Sequence, residues 1–585
     1  MKTHFRFAVL LTLAAAVAAA GDAQEAAPPS AGFLDTVAVE LVNVEVFVTD
    51  RRGEPVPDLA REDFRVLEDG RPVEVTHFVP VGDAGAAEAA PAASGASAAA
   101  PKPTAAEPAH VLVFLDNYHV GPASRARVLE QVWLTLERVL HPGDRVMLAS
   151  YGGSIEVALP FTADHDELLN ALRAEMGRGL SALQLQAGLE DQRALELIRD
   201  LQRSAVGETQ SPGVDGACVD LGGAAEAVAQ QSFHRVQQTI GALTSFVNSL
   251  AGIPGRKTLL HVSDGIPLVA GGQAWSYAIE LCDGTGAAQG VPYAVDVTML
   301  GDVQRHRWDP LAARVQMSSF DTTEDWQRLA AHANAHQVSF YTLQASGPQE
   351  YAQGAASGVR TSLATAQLGV RNVQDSLALI AAETGGRALL NTNDFTGGVE
   401  AMVADARSHY LLAFEPSKPG DGRAHRIQVR VERPGVEARH RKSYRAKSPQ
   451  EQTADGVLSA LIHGETDNPL GARLAVVRRE KDERGAGKVR LQVRLPLNNL
   501  TLLPEEASRR GMFTVFLAAE DEAGNRTPVR HAPVPVVVPA GGAEEDFVYE
   551  VDMPLAPGRN QVALALRDEI GGTTSFLRQS VEVKR

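Results

Sequence analysis

Apolar runs that stop on an acidic residue and hand over to an amphipathic helix dominate the middle of the chain. Residues 110–116, HVLVFLD, end on Asp116, and residues 257–264, KTLLHVSD, end on Asp264. After Asp116 a helical stripe carries Val128, Leu129, Val132, Trp133, Leu136, Val139 and Leu140, and His141-Pro142-Gly143 stops it. Strand, helix, strand in this order predicts a mostly parallel, doubly wound sheet with crossover helices. Neighbouring strands of such a sheet share one carboxyl edge, where open α/β domains keep their ligand sites, so Asp116 and Asp264 are expected to meet there.

The same grammar continues over residues 110–407. Strands are predicted at 145–151 and 155–161, joined at Gly152-Gly153, and later at 338–344 and 387–391. Asp164 with Glu167 has the spacing of a capping box and opens a helix that buries Leu168, Leu169, Leu172 and Met176. Further helices are expected at 224–250, 322–336, 373–384, where Gly385-Gly386 is the stop, and 396–407. Two stretches, 181–223 and 266–318, lack clear periodicity and read as insertions, although 194–201 has helical character.

Both flanks switch to period two. Residues 36–80 hold alternating strands and a hairpin closed at Asp69-Gly70, and residues 408–446 hold three more, separated by Pro/Gly turns. Each group alone exposes an apolar face, so together they predict one β-sandwich into which the α/β domain is inserted. Residues 82–109, nearly all Ala, Gly, Pro, Ser and Glu, read as a linker. A short helix at 453–463 and seven alternating strands predict an immunoglobulin-like β-sandwich over 447–585, without the Cys-Trp-Cys core of antibody domains.

Composition narrows the setting. Lys2 and Arg6 precede an apolar run from Phe7 to Ala20, too short to span a bilayer and followed by Gly21 after three alanines; residues 1–20 read as a signal peptide. The mature protein is expected to be exported, periplasmic or extracellular, with no later transmembrane segment. A net charge of -17 argues against nucleic acid as a partner. The two cysteines, Cys218 and Cys282, fall one in each insertion; an oxidising compartment favours a disulfide between them, and two free buried thiols are the alternative.

The α/β pattern resembles the von Willebrand factor A (VWA) domain. The flanking segments GEPVPDLAREDFRVLEDGRPVEVTHF, ETGGRALLNTNDF, SHYLLAFEP and HRIQVRVERPGVEARHRKSYRA resemble the bacterial secreted VWFA-related proteins. The resemblance implies a metal-ion-dependent adhesion site built on D-x-S-x-S, a Thr from a second loop and an Asp from a third. Here Asp116 is kept, but Tyr118 and Val120 stand where the serines belong. Ser181 is placed at the second loop and Asp264, after Ser263, at the third. Magnesium wants near-octahedral oxygen ligands, and losing two hydroxyls leaves a degenerate site. Asp116, Ser181 and Asp264 are the metal candidates, for weak Mg2+ or Mn2+ at most, and no other cofactor is expected. The competing reading has Asp116 and Asp264 capping helices or bonding nearby loops.

No nucleophile elbow, P-loop or H-E-x-x-H motif occurs. His332 and His336 have a metal-compatible spacing but read as the polar face of a solvated helix, and Asp164-His165-Asp166 reads as capping. The basic run Arg439-His440-Arg441-Lys442 reads as a solvated strand edge. The function expected is therefore not enzymatic but a protein-protein interaction or adhesion module whose partner protein the sequence does not name. The alternative is a metal-dependent enzyme or processing factor using the strand-edge carboxylates.

Overall fold

The computed structural model describes residues 41–82, 108–178, 214–282, 309–348, 363–464, 466–481, 487–505, 508–539 and 546–583. Its first strands are β1 (Val42–Asp50), β2 (Phe64–Glu68), β3 (Arg71–Val73) and β4 (Val75–Val81). β2 and β3 form a hairpin through Asp69 and Gly70, whose φ angles of 48° and 79° are the left-handed pair that a two-residue turn requires.

The chain then builds a mixed α/β unit. Its strands are β5 (His110–Asp116), β6 (Arg145–Tyr151), β7 (Ile155–Thr162), β8 (Lys257–Ser263), β9 (Val338–Gln344) and β10 (Ala388–Leu389). They form one six-stranded sheet in the order β10-β9-β8-β5-β6-β7. Every neighbouring pair is parallel except β6 with β7. Its helices are α1 (Pro122–Val139), α2 (His165–Gly177), α3 (Val214–Ser249), α4 (Gly272–Cys282), α5 (Pro310–Ser318), α6 (Thr323–Ala335), α7 (Leu363–Thr384) and α8 (Thr396–Arg407). Successive side chains of β5 enter opposite cores, which is why its sequence is apolar throughout rather than alternating. Val111, Val113 and Leu115 meet Val128, Val132 and Leu136 of α1 and Met402 of α8. Leu112 and Phe114 meet Ile240, Leu243 and Val247 of α3 and Trp326 of α6. Each such buried side chain contributes about 1.5–3 kcal/mol.

The described parts of both insertions include helices that the sequence pattern did not show. α3 starts at Val214, inside the 181–223 stretch, while α4 and α5 occupy parts of 266–318, and α7 starts at Leu363 rather than near 373. The 194–201 segment lies outside the described residues. Gly222-Gly223 and the alanine-rich start of α3 give no clear stripe, but tertiary packing overrides that weakness. Leu221, Ala225 and Ala229 pack on Trp275, Tyr277 and Ala278 of α4. A disulfide joins Cys218 on α3 to Cys282 at the end of α4, with Cα atoms 5.8 Å apart.

After α8 the chain forms β11 (His409–Phe414), β12 (Ala424–Val431), β13 (Val436–Arg439) and β14 (Ser443–Arg445). These combine with the first four strands in two sheets, β13-β1-β11-β4 and β14-β12-β2-β3. Their shared core includes Val44, Val46, Phe64, Val66, Tyr410, Leu412 and Ile427. Strands separated by more than 300 residues thus share one double layer, alternating in its first sheet, where β1 lies antiparallel to both β11 and β13.

The basic run after β13 is not the solvated edge expected from its alternation. Arg439 donates to Asp405 of α8 at 2.8 Å and to the carbonyl of Gly385 at 3.2 Å. His440 and Arg441 are buried, and Arg441 Nη1 donates to the carbonyl of Asn334 at 2.8 Å. Gly385, at φ 79°, touches the His440 backbone so closely that a Cβ there would lie 2.6 Å from its carbonyl carbon. The run fastens the sandwich to the ends of α6 and α7. Arg256, before β8, adds a stacking contact with its guanidinium 4.2 Å from the Phe47 ring centre.

The last part opens with α9 (Pro449–His463), started by a Ser448/Glu451 capping box and ended by Gly464 at φ 75°. Then follow β15 (Arg473–Lys481), β16 (Gly487–Pro496), β17 (Leu503–Glu505), β18 (Ser508–Asp521), β19 (Arg530–Pro539), β20 (Asp546–Leu555), β21 (Gly558–Asp568) and β22 (Thr574–Val583). One sheet is β15-β16-β20; the other is β17-β18-β21-β22, with β19 on β18. α9 covers the outer face of the second sheet, where Ala518, Ala563 and Ala565 let Val457, Ala460 and Leu461 approach.

Candidate functional site

The sheet order makes its own crevice. The chain leaves β5 for β6 on one side and returns to β8 on the other, so the carboxyl ends of β5 and β8 flank the point where the winding reverses. Asp116 is the last residue of β5, and Ser263 and Asp264 end and follow β8. Both carboxylates bind the same short loop, residues 117–121.

Asp116 is completely buried and faces its own loop. Its oxygens accept from the His119 ring Nδ1 at 2.9–3.0 Å, from the His119 backbone N–H at 3.2 Å and from Ser263 Oγ at 3.0 Å. His261 Nε2, also buried, lies 3.8 Å away, beyond hydrogen-bond reach. Burial alone would raise the Asp116 carboxyl, but the His119 ring held against it prevails and keeps it well below the ordinary carboxylate range.

Asp264 does a different task. Its Oδ2 accepts from the Gly121 backbone N–H at 2.7 Å, and its own N–H donates to the His119 carbonyl at 3.2 Å. Gly121 is the residue that precedes the first turn of α1 and has no capping side chain. A carboxylate from the neighbouring strand thus supplies the negative charge that a helix start favours.

A third clamp holds the loop from below. Asn117 donates to Glu175 of α2 at 2.8 Å and accepts from Arg125 Nε at 2.8 Å, while Arg125 Nη2 reaches Glu175 Oε1 at 2.9 Å. Asn117, Arg125 and Glu175 are all buried. With its polar groups tied on three sides, the loop presents Tyr118 and His119 together, their rings edge to face with centres 5.0 Å apart. Tyr118 is half-buried against Tyr151.

The structure therefore brings Asp116, Tyr118, Ser263 and Asp264 to one edge, with Ser181 outside the described residues. As placed, a cation at Asp116 would have to displace the His119 ring. Among the described residues no group of three or more His, Cys, Asp or Glu side chains is arranged to hold a metal. Asn117, His119, Arg125 and Glu175 are the members that the sequence alone did not single out; for His119 the available signal was a histidine three residues beyond a strand-ending aspartate, close enough to return to it.

Two other candidates resolve differently. Asp164 caps α2, accepting from Asp166 N–H at 3.0 Å. His332 and His336 both contact Asn248 Oδ1, at 3.2 and 3.0 Å, and His336 is buried with Lys447 Nζ 2.7 Å from its Nδ1. His336 thus sits at the seam between α3, α6 and the start of α9, where the strands that follow the domain fold back over that end of α6, while His332, one turn earlier, is exposed as expected of a solvated face.

No protein-family model and no curated protein matches the chain. Among solved structures, the X-ray structure of a Northeast Structural Genomics Consortium target is similar over 20% of this chain and 88% of that one, at 12% identity and a TM-score of 0.15. That likeness is too slight to carry fold or function.

Proposed function

We propose that this chain is a protein-binding or adhesion module of von Willebrand factor A type, exported by residues 1–20 and displayed between a split β-sandwich and an immunoglobulin-like one. The observation that carries the reading is the pinned loop 117–121. Asp116, Asp264 and Glu175 hold it from three directions, and it offers an aromatic pair, Tyr118 and His119, at the crevice. Rigid loops with aromatic anchors suit protein recognition, since little conformational entropy is lost on binding. The carboxylate that would hold a cation in such a domain is here satisfied by a histidine and a serine, so adhesion without metal is the expected mode.

A second reading has one observation in its favour. His119 turns Nδ1 onto Asp116, the orientation in which a carboxylate fixes an imidazole for acid/base work. One experiment tests the interaction reading: affinity capture from the native envelope with the full chain, its Tyr118→Ala and His119→Ala variants, and a form lacking residues 266–318, each with magnesium or with a chelator. The interaction reading expects a discrete partner protein, lost with Tyr118→Ala and indifferent to chelator. Capture that needs magnesium, or calorimetric Mg2+ or Mn2+ binding below millimolar that Asp116→Ala abolishes, would overturn it in favour of the metal-dependent alternative.

A further inference from the structure

Two strands face each other across the open side of the C-terminal pair of sheets, and their exposed edges differ. On β19, Pro533, Pro535 and Pro539 lie opposite Thr514, Met512 and Ser508 of β18. Proline has no N–H for the ladder, so these residues take the positions whose backbone groups point away from β18. The outward row of β19 is left with the N–H groups of His531 and Val537, and that edge is closed to another strand.

β20 is the opposite case. Among the described residues it pairs with β16 alone. Pro554 lies opposite Lys488, and Pro496 of β16 lies opposite Asp546. The same reasoning sets the phase: the even-numbered residues of β20 turn their backbone outward, so Asp546, Val548, Glu550 and Asp552 offer N–H and C=O groups to an incoming strand. Beside that edge a cleft of about 270 Å³ runs between β19 and β20, walled by Val515, Leu517, Tyr549, Val551 and Met553. On the outer face the exposed side chains of β20 are Asp546, Val548, Glu550 and Asp552. Asp552 is taken by Arg490 and Lys488 at 2.7 and 2.9 Å; Glu550 accepts from Gln492 Nε2 at 3.0 Å and has its nearest cation, Arg490, at 3.9 Å; and Asp546 has no ion-pair partner among the described residues.

We propose that the free edge of β20 accepts an extended segment of a partner protein as an added strand, its residues alternating between apolar side chains directed into the cleft and lysine or arginine facing the acidic row. Main-chain bonds to the even residues give the affinity, and the alternation gives the specificity. A second copy of this chain is disfavoured as the occupant, because two β20 edges side by side would set their acidic rows against each other.

The test uses the full chain and a labelled, end-blocked ten-residue peptide of alternating valine and lysine, followed by fluorescence anisotropy. Saturable binding is expected, and it should weaken at least roughly tenfold in Glu550→Pro, which removes one outward N–H and leaves the β16 ladder intact. Val537→Pro, on the closed edge, should bind as the parent does. A peptide N-methylated on the face that pairs should fail with the unmodified protein, which tests the same bonds even if Glu550→Pro disturbs folding. Absence of binding, equal binding of the N-methylated peptide, or sedimentation showing a self-dimer that Glu550→Pro dissolves would each overturn the proposal.

Discussion

Replacing Asp116 by asparagine removes one negative charge from the centre of the crevice and changes almost nothing in shape. Three donors now converge on the carboxylate: the His119 ring, the His119 N–H and Ser263 Oγ. Hydrogen bonds to a charged group contribute about 1.5–3 kcal/mol each, and asparagine keeps one acceptor oxygen while turning an amide donor towards another donor. At least one charged bond is lost and one clash of donors is created, offset in part because a neutral group is less costly to bury. The net expectation is a loss of about 2 kcal/mol. Trp133, Trp275 and Trp326 pack in the cores of the α/β unit and no tryptophan lies in either group of flanking strands, so the fluorescence change reports on that unit. With a urea slope near 3 kcal/mol/M, the midpoint should drop by about 0.7 M at pH 7. The Asp116 carboxyl sits below its ordinary value in the folded state, so its contribution is complete above the unfolded value near 4 and fades as pH falls further. The gap between parent and variant should begin to narrow only below about pH 4, and close as pH falls through the lowered folded-state value. A midpoint unchanged at pH 7, or a gap that does not narrow at all as pH falls below about 4, would refute the role given to this carboxylate.

Other consequences follow from the same contacts. Asp405→Ala strands Arg439 and Arg387 in a buried seam, an expected loss of about 3 kcal/mol, read as earlier proteolysis within residues 408–446 as well as a lower midpoint. Cys218→Ser opens a disulfide spanning 64 residues; chain entropy puts its worth near 4 kcal/mol, and hydrogen exchange should quicken in α3 and α4 while the first sandwich is unaffected. Lys257 is buried, donates to the Ile253 carbonyl at 2.7 Å, and is pushed by burial, with Lys447 adding to it, down to about 7. Because the unfolded chain holds that proton up to a pH near 10 and the folded one gives it up near 7, Lys257→Met should raise stability at pH 7, with a margin that shrinks as pH rises towards 10.

How much of this was legible in the sequence depended on whether the governing contacts were local. The turn at Asp69-Gly70, the stop at Gly385-Gly386 and the apolar registers of β5, β8 and β9 are written in consecutive residues, and the edge that holds Asp116 and Asp264 follows from strand order. The basic run at 439–442 was misread because its acidic partner, Asp405, lies on α8, and an alternating charge pattern does not say whether the surface it faces is water or protein. α3 began early for a similar reason: Gly222 and Gly223 weaken the local preference, and only contacts with Trp275 and Tyr277 make the extension helical. At the crevice the two strand-ending aspartates were visible, but the return of the His119 ring onto Asp116 needed the geometry of the loop.

The split of the first double layer has a temporal consequence. β1 leaves the ribosome long before its two neighbours, β11 and β13, which end at Phe414 and Arg439. At a synthesis rate of about 5–20 residues per second, β1 waits roughly 20 to 80 seconds for them. During that interval its backbone ladder is open and its valines are uncovered, so the first double layer closes only after the whole α/β unit has been synthesised.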